Sequence, residues 1–219
     1  MSILHPYSKR SINQMFREKR FKFFKDLLSK IDKEGPIEIL DIGGTQEYWQ
    51  KMNFIDNTNC NITLLNLEKV EVKYTNFKSV VGDAKNLIEY KDKQFDVVFS
   101  NSVIEHLYSR ENQICMANEV MRVGKYYYVQ TPNYYFPIEP HWLFPFFQFL
   151  PFGIRVYLTE NFTIGNVKKA INKAAAINKI KEVNLLSEKE LIRLFPNSEI
   201  KREYFLGLVK SISAYRVTE

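Results

Sequence analysis

The stretch IEILDIGGTQEYW, from Ile37 to Trp49, ends an apolar run on an acid, Asp41, and sets Gly43 and Gly44 shortly after it. Residues without a Cβ can take positive φ and let the backbone approach a ligand closely. Three further sets of residues close apolar runs in a similar way. Glu68 follows NITLLNL, Asp83 and Ala84 follow FKSVV, and Asn101 and Ser102 close FDVVFS. Glu68 has the place from which an acid hydrogen-bonds a ribose diol, Asp83 could reach an adenine amino group, and together these residues describe a pocket for a nucleoside. Proton chemistry is available in two other motifs. Glu105 and His106 lie in SVIEHLY, and His141 lies beside Glu139 in IEPHWLF. Each is a candidate base for an acceptor group.

These groups can cooperate only if the runs that carry them are neighbouring strands. Starting at Ser11, the residues Ile12, Met15, Phe16, Phe23, Phe24, Leu27, Leu28 and Ile31 recur at helical spacing, and EGP follows with Gly35 and Pro36, which predicts an N-terminal helix over 11–34. After it IEILDI, NITLLNL, FKSVV, FDVVFS and KYYYVQT alternate with helix-like segments, of which SRENQICMANEVMRV is the clearest. Such alternation marks a parallel sheet with helices on both faces. SEKELIRLF reads as a helix capped by Ser187, and EIKREYFLG and KSISAYRVT are two strands too close in sequence to be anything but antiparallel. Between the fifth strand and that helix lies an insertion, 132–184, rich in aromatic residues and interrupted by Pro132, Pro137, Pro140, Pro145 and Pro151. The favoured reading is an acceptor-binding cap over Tyr134 to Leu158; ordinary core and a patch touching a membrane surface are the alternatives.

Bulk properties set the frame. A chain of 219 residues with 45% hydrophobic content supports one well-cored domain over 1–219 and is short for two. Cys60 and Cys115 show no CxxC or Cys/His spacing, so neither a disulfide framework nor a structural zinc site is suggested. MSILHPYSKR has no signal-peptide core and no run reaches the roughly 18 apolar residues of a membrane span, so the expected location is cytoplasmic. The net charge of +6 is compatible with an anionic ligand or a nucleic acid and demands neither.

The first loop narrows the nucleoside. It has no GxGxxG to seat a pyrophosphate and no GxxxxGK followed by Ser or Thr. An acid placed before the glycines repels a phosphate but suits a ligand that carries an ammonium or sulfonium, which points to S-adenosylmethionine. The ordered motifs ILDIGG, LLNLE, VVGDAKNL and FDVVFSNSVIEHL then resemble the class I S-adenosylmethionine-dependent methyltransferases, and within them the small-molecule branch grouped with the type 11 domain. YFLGLVKSISAYR resembles that family's closing hairpin. The resemblance implies a three-layer, Rossmann-like α/β fold with a seven-stranded sheet, parallel except for an antiparallel last strand. It also implies a cofactor edge formed by Asp41, Gly43, Gly44, Glu68, Asp83, Ala84, Asn101 and Ser102. One departure stands out: where the family has acid-x-Gly-x-Gly-x-Gly, this chain has Thr45 and Glu47 at the later glycine positions.

The expected activity is methyl transfer, preferably to oxygen, on a small-molecule, glycan or lipid-like acceptor, with His106, His141 and Glu105 as candidate catalytic groups. Arg17 and Arg20 on the first helix are candidates for the cofactor's carboxylate. A module that binds S-adenosylmethionine or its product without transfer is the alternative that the GGTQE loop favours. A DNA or RNA methyltransferase is disfavoured, because the fourth run ends in SNSV and not in the Asn/Asp-Pro-Pro-Tyr/Phe element of amino-methylating enzymes. The acid pair of catechol-type enzymes is absent as well, so no metal is expected.

Overall fold

The structure is a computed structural model that describes residues 12–217. Helix α1, Ile12–Leu28, buries Phe21, Phe24, Leu27 and Leu28 on one face; the Ser11 start of the predicted helix lies outside the described residues. The helix ends at Leu28, well short of the expected 34. There the Ser29 hydroxyl donates to the Asp26 carbonyl, and Lys30 and Ile31 N–H groups reach back only three residues, to Leu27 and Leu28, so the chain unwinds. Gly35, at φ 84°, belongs to the turn into the sheet.

Five strands follow in alternation with helices or loops: β1 Ile37–Ile42, β2 Cys60–Asn66, β3 Phe77–Val81, β4 Phe95–Asn101 and β5 Gly124–Pro132, with α2 Gln46–Lys51 after β1 and α3 Arg110–Val123 before β5. The insertion holds a two-residue ladder, β6 Ile138–Glu139 with β7 Phe144–Pro145, then α4 Phe152–Asn161 and α5 Lys173–Glu182. The chain finishes with α6 Glu188–Leu194 and the hairpin β8 Glu199–Phe205 and β9 Leu208–Arg216. Ser187 caps α6 in a reciprocal capping box with Glu190. The hairpin turns on Leu206 and Gly207, both at positive φ, as a two-residue turn of right-handed strands requires.

The main sheet runs β3-β2-β1-β4-β5-β9-β8, with β1 through β5 parallel and β9, the last strand, antiparallel to both its neighbours. This is the seven-stranded arrangement expected. Alternate residues of β1 serve opposite layers: Leu40 and Ile42 pack with α3 and α6 residues such as Met116, Val120 and Leu191, whereas Ile39 packs with Phe21 and Phe24 of α1 and with Trp49. The strand order reverses at β1, between β2 and β4, and the crevice outside that point is where open α/β sheets take ligands. The cap has a core of its own, formed by Trp142, Phe147, Val156, Ala170, Ala176 and Ile180. Among the described residues no helix is long and apolar enough to cross a membrane.

Candidate active site

Asp41 lies on the α1 side of β1, only 1% exposed, and its Oδ2 accepts a hydrogen bond from the Trp49 indole at 2.7 Å. Burial pushes its carboxyl up to about 8, against the lowering effect of the indole bond. This strand-end acid is therefore packed into the interior as well as lying at the strand tip. The two glycines are needed for different reasons. Gly43 takes φ 72°, and a Cβ there would meet the Val103 side chain at 2.6 Å. At Gly44 a Cβ would stand 1.6 Å from Asp41 Oδ2, so this glycine makes room for the chain's own carboxylate. Thr45, in a later glycine position of the family pattern, is the N-cap of α2 and accepts from the Tyr48 N–H. The variant loop thus exchanges glycine for a capped helix.

A cavity of about 210 Å³ opens at this point, lined among others by Arg17, Asp41, Gly43, Gly44, Tyr48 and Asn101. Asn101 Oδ1 is buried here without a hydrogen-bond partner among the described residues. That orphaned acceptor fits a polar ligand against the tips of β1 and β4. Glu68, Asp83, Ala84 and Ser102 do not wall this cavity. Strand β2 ends at Asn66, so Glu68 falls two residues beyond the strand end at which it was expected and is exposed. Asp83 lies just past β3, accepts from the Lys85 N–H and pairs with the Lys85 ammonium at 3.3 Å. Ala84 is buried, and Ser102 donates its hydroxyl to Gln130 Oε1. Of the two arginines, Arg17 reaches the cavity wall while Arg20 pairs with Glu203 at 3.4 Å. Sequence reasoning missed Asn66, whose amide donates to the Gly44 carbonyl and steadies the loop. Its position at the end of NITLLN was the available signal.

The three candidate catalytic residues converge, although they come from different elements. Beyond β4 the chain makes a 3-10 turn, Ile104–His106, that buries Glu105 and carries His106. The ladder of the cap brings His141 against it, with His141 Nε2 3.2 Å from His106 Nε2 and the ring planes at 90°. Behind His141 its Nδ1 lies 2.6 Å from Glu139 Oε1, and the other Glu139 oxygen accepts from the backbone N–H groups of His141 and Trp142. Glu139 is 2% exposed. Burial lowers the His141 proton affinity, but the Glu139 hydrogen bond and charge outweigh it and the net shift is upward. His106 is shifted downward, by burial and by the neighbouring His141. Glu105 is raised to about 7 by burial, partly offset by its backbone bond and by Thr131, whose hydroxyl donates to Oε2 at 3.0 Å. Glu105 Oε1 and His106 Nδ1 are buried with no partner among the described residues.

Glu139 also faces a larger cavity of about 440 Å³ between the cap and the start of α6, where Tyr134, Trp142, Phe147, Gln148 and Arg155 are among the lining residues. Arg155 Nε and Gln148 Oε1 are buried there without partners among the described residues. Sequence reading singled out neither, since only the folded cap aims them at one space.

Residues 40–129 match the family model described as a methyltransferase domain. Over the whole chain the fold is similar to an S-adenosylmethionine-dependent methyltransferase of Archaeoglobus fulgidus, at TM-score 0.56 and 13% identity, with 93% of this chain and 94% of that one covered. It is likewise similar to one of Aquifex aeolicus, at TM-score 0.51 and 12% identity, covering 94% and 92%. Residues 40–129 thus match a methyltransferase domain, and the chain shares its overall fold with these S-adenosylmethionine-dependent methyltransferases. Two uncharacterized proteins of Mycobacterium tuberculosis, MT1557 and Rv1509, are 39% identical over 56 residues, and that match covers 26% of this chain. The chain spans 19% of the length of these curated relatives.

Proposed function

We propose that this protein transfers a methyl group from S-adenosylmethionine to an oxygen of a small-molecule, glycan or lipid-like acceptor held under the cap. Asp41, Gly43, Gly44 and Asn101 would hold the cofactor, with Glu68, Asp83, Ala84 and Ser102 continuing its edge along the strand tips and Arg17 available to its carboxylate. Bound there, it supplies a methyl group made electrophilic by a sulfonium. The observation that carries the reading is the contact between His106 Nε2 and His141 Nε2, because it joins the tip of β4 to the cap. A hydroxyl brought to this pair loses its proton to an imidazole nitrogen, and Glu139 at 2.6 Å from Nδ1 stabilises the charge that His141 then carries. Closure by the aromatic cap keeps water from the acceptor. The buried, unpartnered Arg155 Nε suits an acceptor with a carboxylate or phosphate.

Calorimetry with S-adenosylhomocysteine, followed by turnover with a panel of anionic hydroxyl compounds, tests the proposal. His141→Ala should lower transfer about 10²- to 10⁴-fold, the usual worth of a positioned base, and leave S-adenosylhomocysteine affinity nearly intact. Full transfer by that variant on the true acceptor would remove the pair from the chemistry.

A further inference from the structure

The geometry points to a divalent cation site at Glu105, His106 and His141, suited to Zn²⁺ or Mn²⁺ and not expected from the sequence. The ligand atoms these three side chains offer all lie within 4.8 Å of one another. Two imidazole nitrogens bound to one tetrahedral ion at 2.0–2.1 Å stand about 3.3 Å apart, and the two Nε2 atoms here are 3.2 Å apart. Ligand atoms 4.8 Å apart at most must close by up to about 1.5 Å to complete such a shell, a displacement that rotation of the Glu105 side chain would supply.

Hydrogen bonding gives an independent reason. Glu139 fixes the tautomer of His141 by accepting a hydrogen bond from Nδ1–H, so the neutral ring turns a lone pair on Nε2 toward His106. If His106 donates from Nε2, its Nδ1 becomes a buried acceptor with no donor; if it is protonated on Nδ1, two lone pairs face each other and the N–H is orphaned. Both tautomers leave a group unsatisfied. Glu105 adds a second defect, an Oε1 with no partner in a side chain that is wholly buried. A cation between the three closes the Nε2 contact and the carboxylate defect at once. The outer contacts are already built: Glu139 behind His141 is the carboxylate–histidine support that orients a metal ligand, and Thr131 holds the far oxygen of Glu105. Two nitrogens and one carboxylate favour borderline transition ions over Mg²⁺, which prefers oxygen. Three protein ligands leave positions open, and, on the methyltransferase reading, the cation's charge would make an acceptor hydroxyl there more acidic, adding to what the pair does in the metal-free protein.

Chelator-treated full-length protein is titrated with ZnCl₂, MnCl₂ and MgCl₂ by calorimetry, with the visible spectrum of the Co²⁺ form as a report on ligand geometry. S-adenosylhomocysteine affinity is measured on the same samples. One Zn²⁺ per chain should bind at least tenfold more tightly than Mg²⁺. Glu139→Gln should weaken Zn²⁺ binding 10- to 100-fold, and His141→Ala and Glu105→Gln each by about 100-fold or more. Retained S-adenosylhomocysteine binding shows that a variant is folded. A wild-type protein that takes up no Zn²⁺, or variants that bind it as well as wild type, would overturn the site while leaving the methyltransferase reading standing. Zn²⁺ binding without S-adenosylhomocysteine binding would do the reverse.

Discussion

Replacing Asp41 by Asn removes a titrating group but keeps an oxygen to accept the Trp49 indole bond. In the folded protein burial raises the Asp41 carboxyl from 3.8 to about 8. Between those values the folded chain holds a proton that the unfolded chain has lost, so stability declines as pH rises through this window and the loss is complete above the folded value. Each pH unit costs 1.36 kcal/mol, which makes about 3 kcal/mol between pH 5 and 7. The Asn variant lacks this slope and should overtake wild type as the pH rises. Urea unfolding of both proteins at intervals from pH 5 to 8 measures the difference directly. A stability gap that stays constant across that range would refute the argument, because it would mean that Asp41 ionises alike in the two states. On the cofactor side the sign inverts: a sulfonium or ammonium nearby favours the ionised carboxylate, so S-adenosylmethionine binding near pH 7 should release a proton. Calorimetry in buffers of different ionisation enthalpy detects that release. The variant should gain stability and lose cofactor affinity together.

Gly44→Ala should cost about 1–3 kcal/mol of stability as an overpacked site and weaken S-adenosylhomocysteine binding, since the new methyl displaces the Asp41 carboxylate; thermal melts and calorimetry report both, and an undisturbed protein would mean that the loop relaxes freely. Glu68→Ala should leave the melting temperature unchanged, because the side chain is exposed, yet weaken cofactor binding by about 1–3 kcal/mol if it bonds the ribose. Arg155→Met should raise KM for an anionic acceptor at least tenfold and leave S-adenosylhomocysteine affinity as it was, read from steady-state kinetics. Thr159→Val removes the acceptor of the Trp142 indole bond, 3.0 Å long in the cap core; a loss of roughly 1–3 kcal/mol is expected in urea unfolding.

The central strands were legible because β4, FDVVFSN, is buried almost along its length and has the apolar stretch VVF at its centre. The closing hairpin announced itself through two β-rich runs with two residues between them. The N-terminal helix was read too long for a physical reason. Ile31 still packs against the α1 layer after the helix has unwound, and periodicity records burial, not hydrogen bonding. Glu68 was misplaced for a related reason: Leu67 prolongs the apolar run but is 74% exposed and lies outside the strand. Inside the cap, Pro151 read as an interruption. It is instead the residue that opens α4, where a missing N–H costs nothing. His106 and His141 were visible one by one, but their meeting depends on a two-residue ladder between Ile138 and Pro145 that no pattern of so few residues predicts.

The chain has two tryptophans, and the fold has assigned one to each half of the site. Trp49 donates to Asp41 beneath the glycine loop, and Trp142 sits in the cap core with its backbone N–H on Glu139 and its indole on Thr159. The protein thereby carries two intrinsic fluorophores at separate stations. With Trp142→Phe, emission from Trp49 alone follows ionisation of Asp41 and filling of the crevice; with Trp49→Phe, emission from Trp142 follows the cap. Order of arrival at the two stations, donor before acceptor or the reverse, can then be timed by stopped flow without attaching any label.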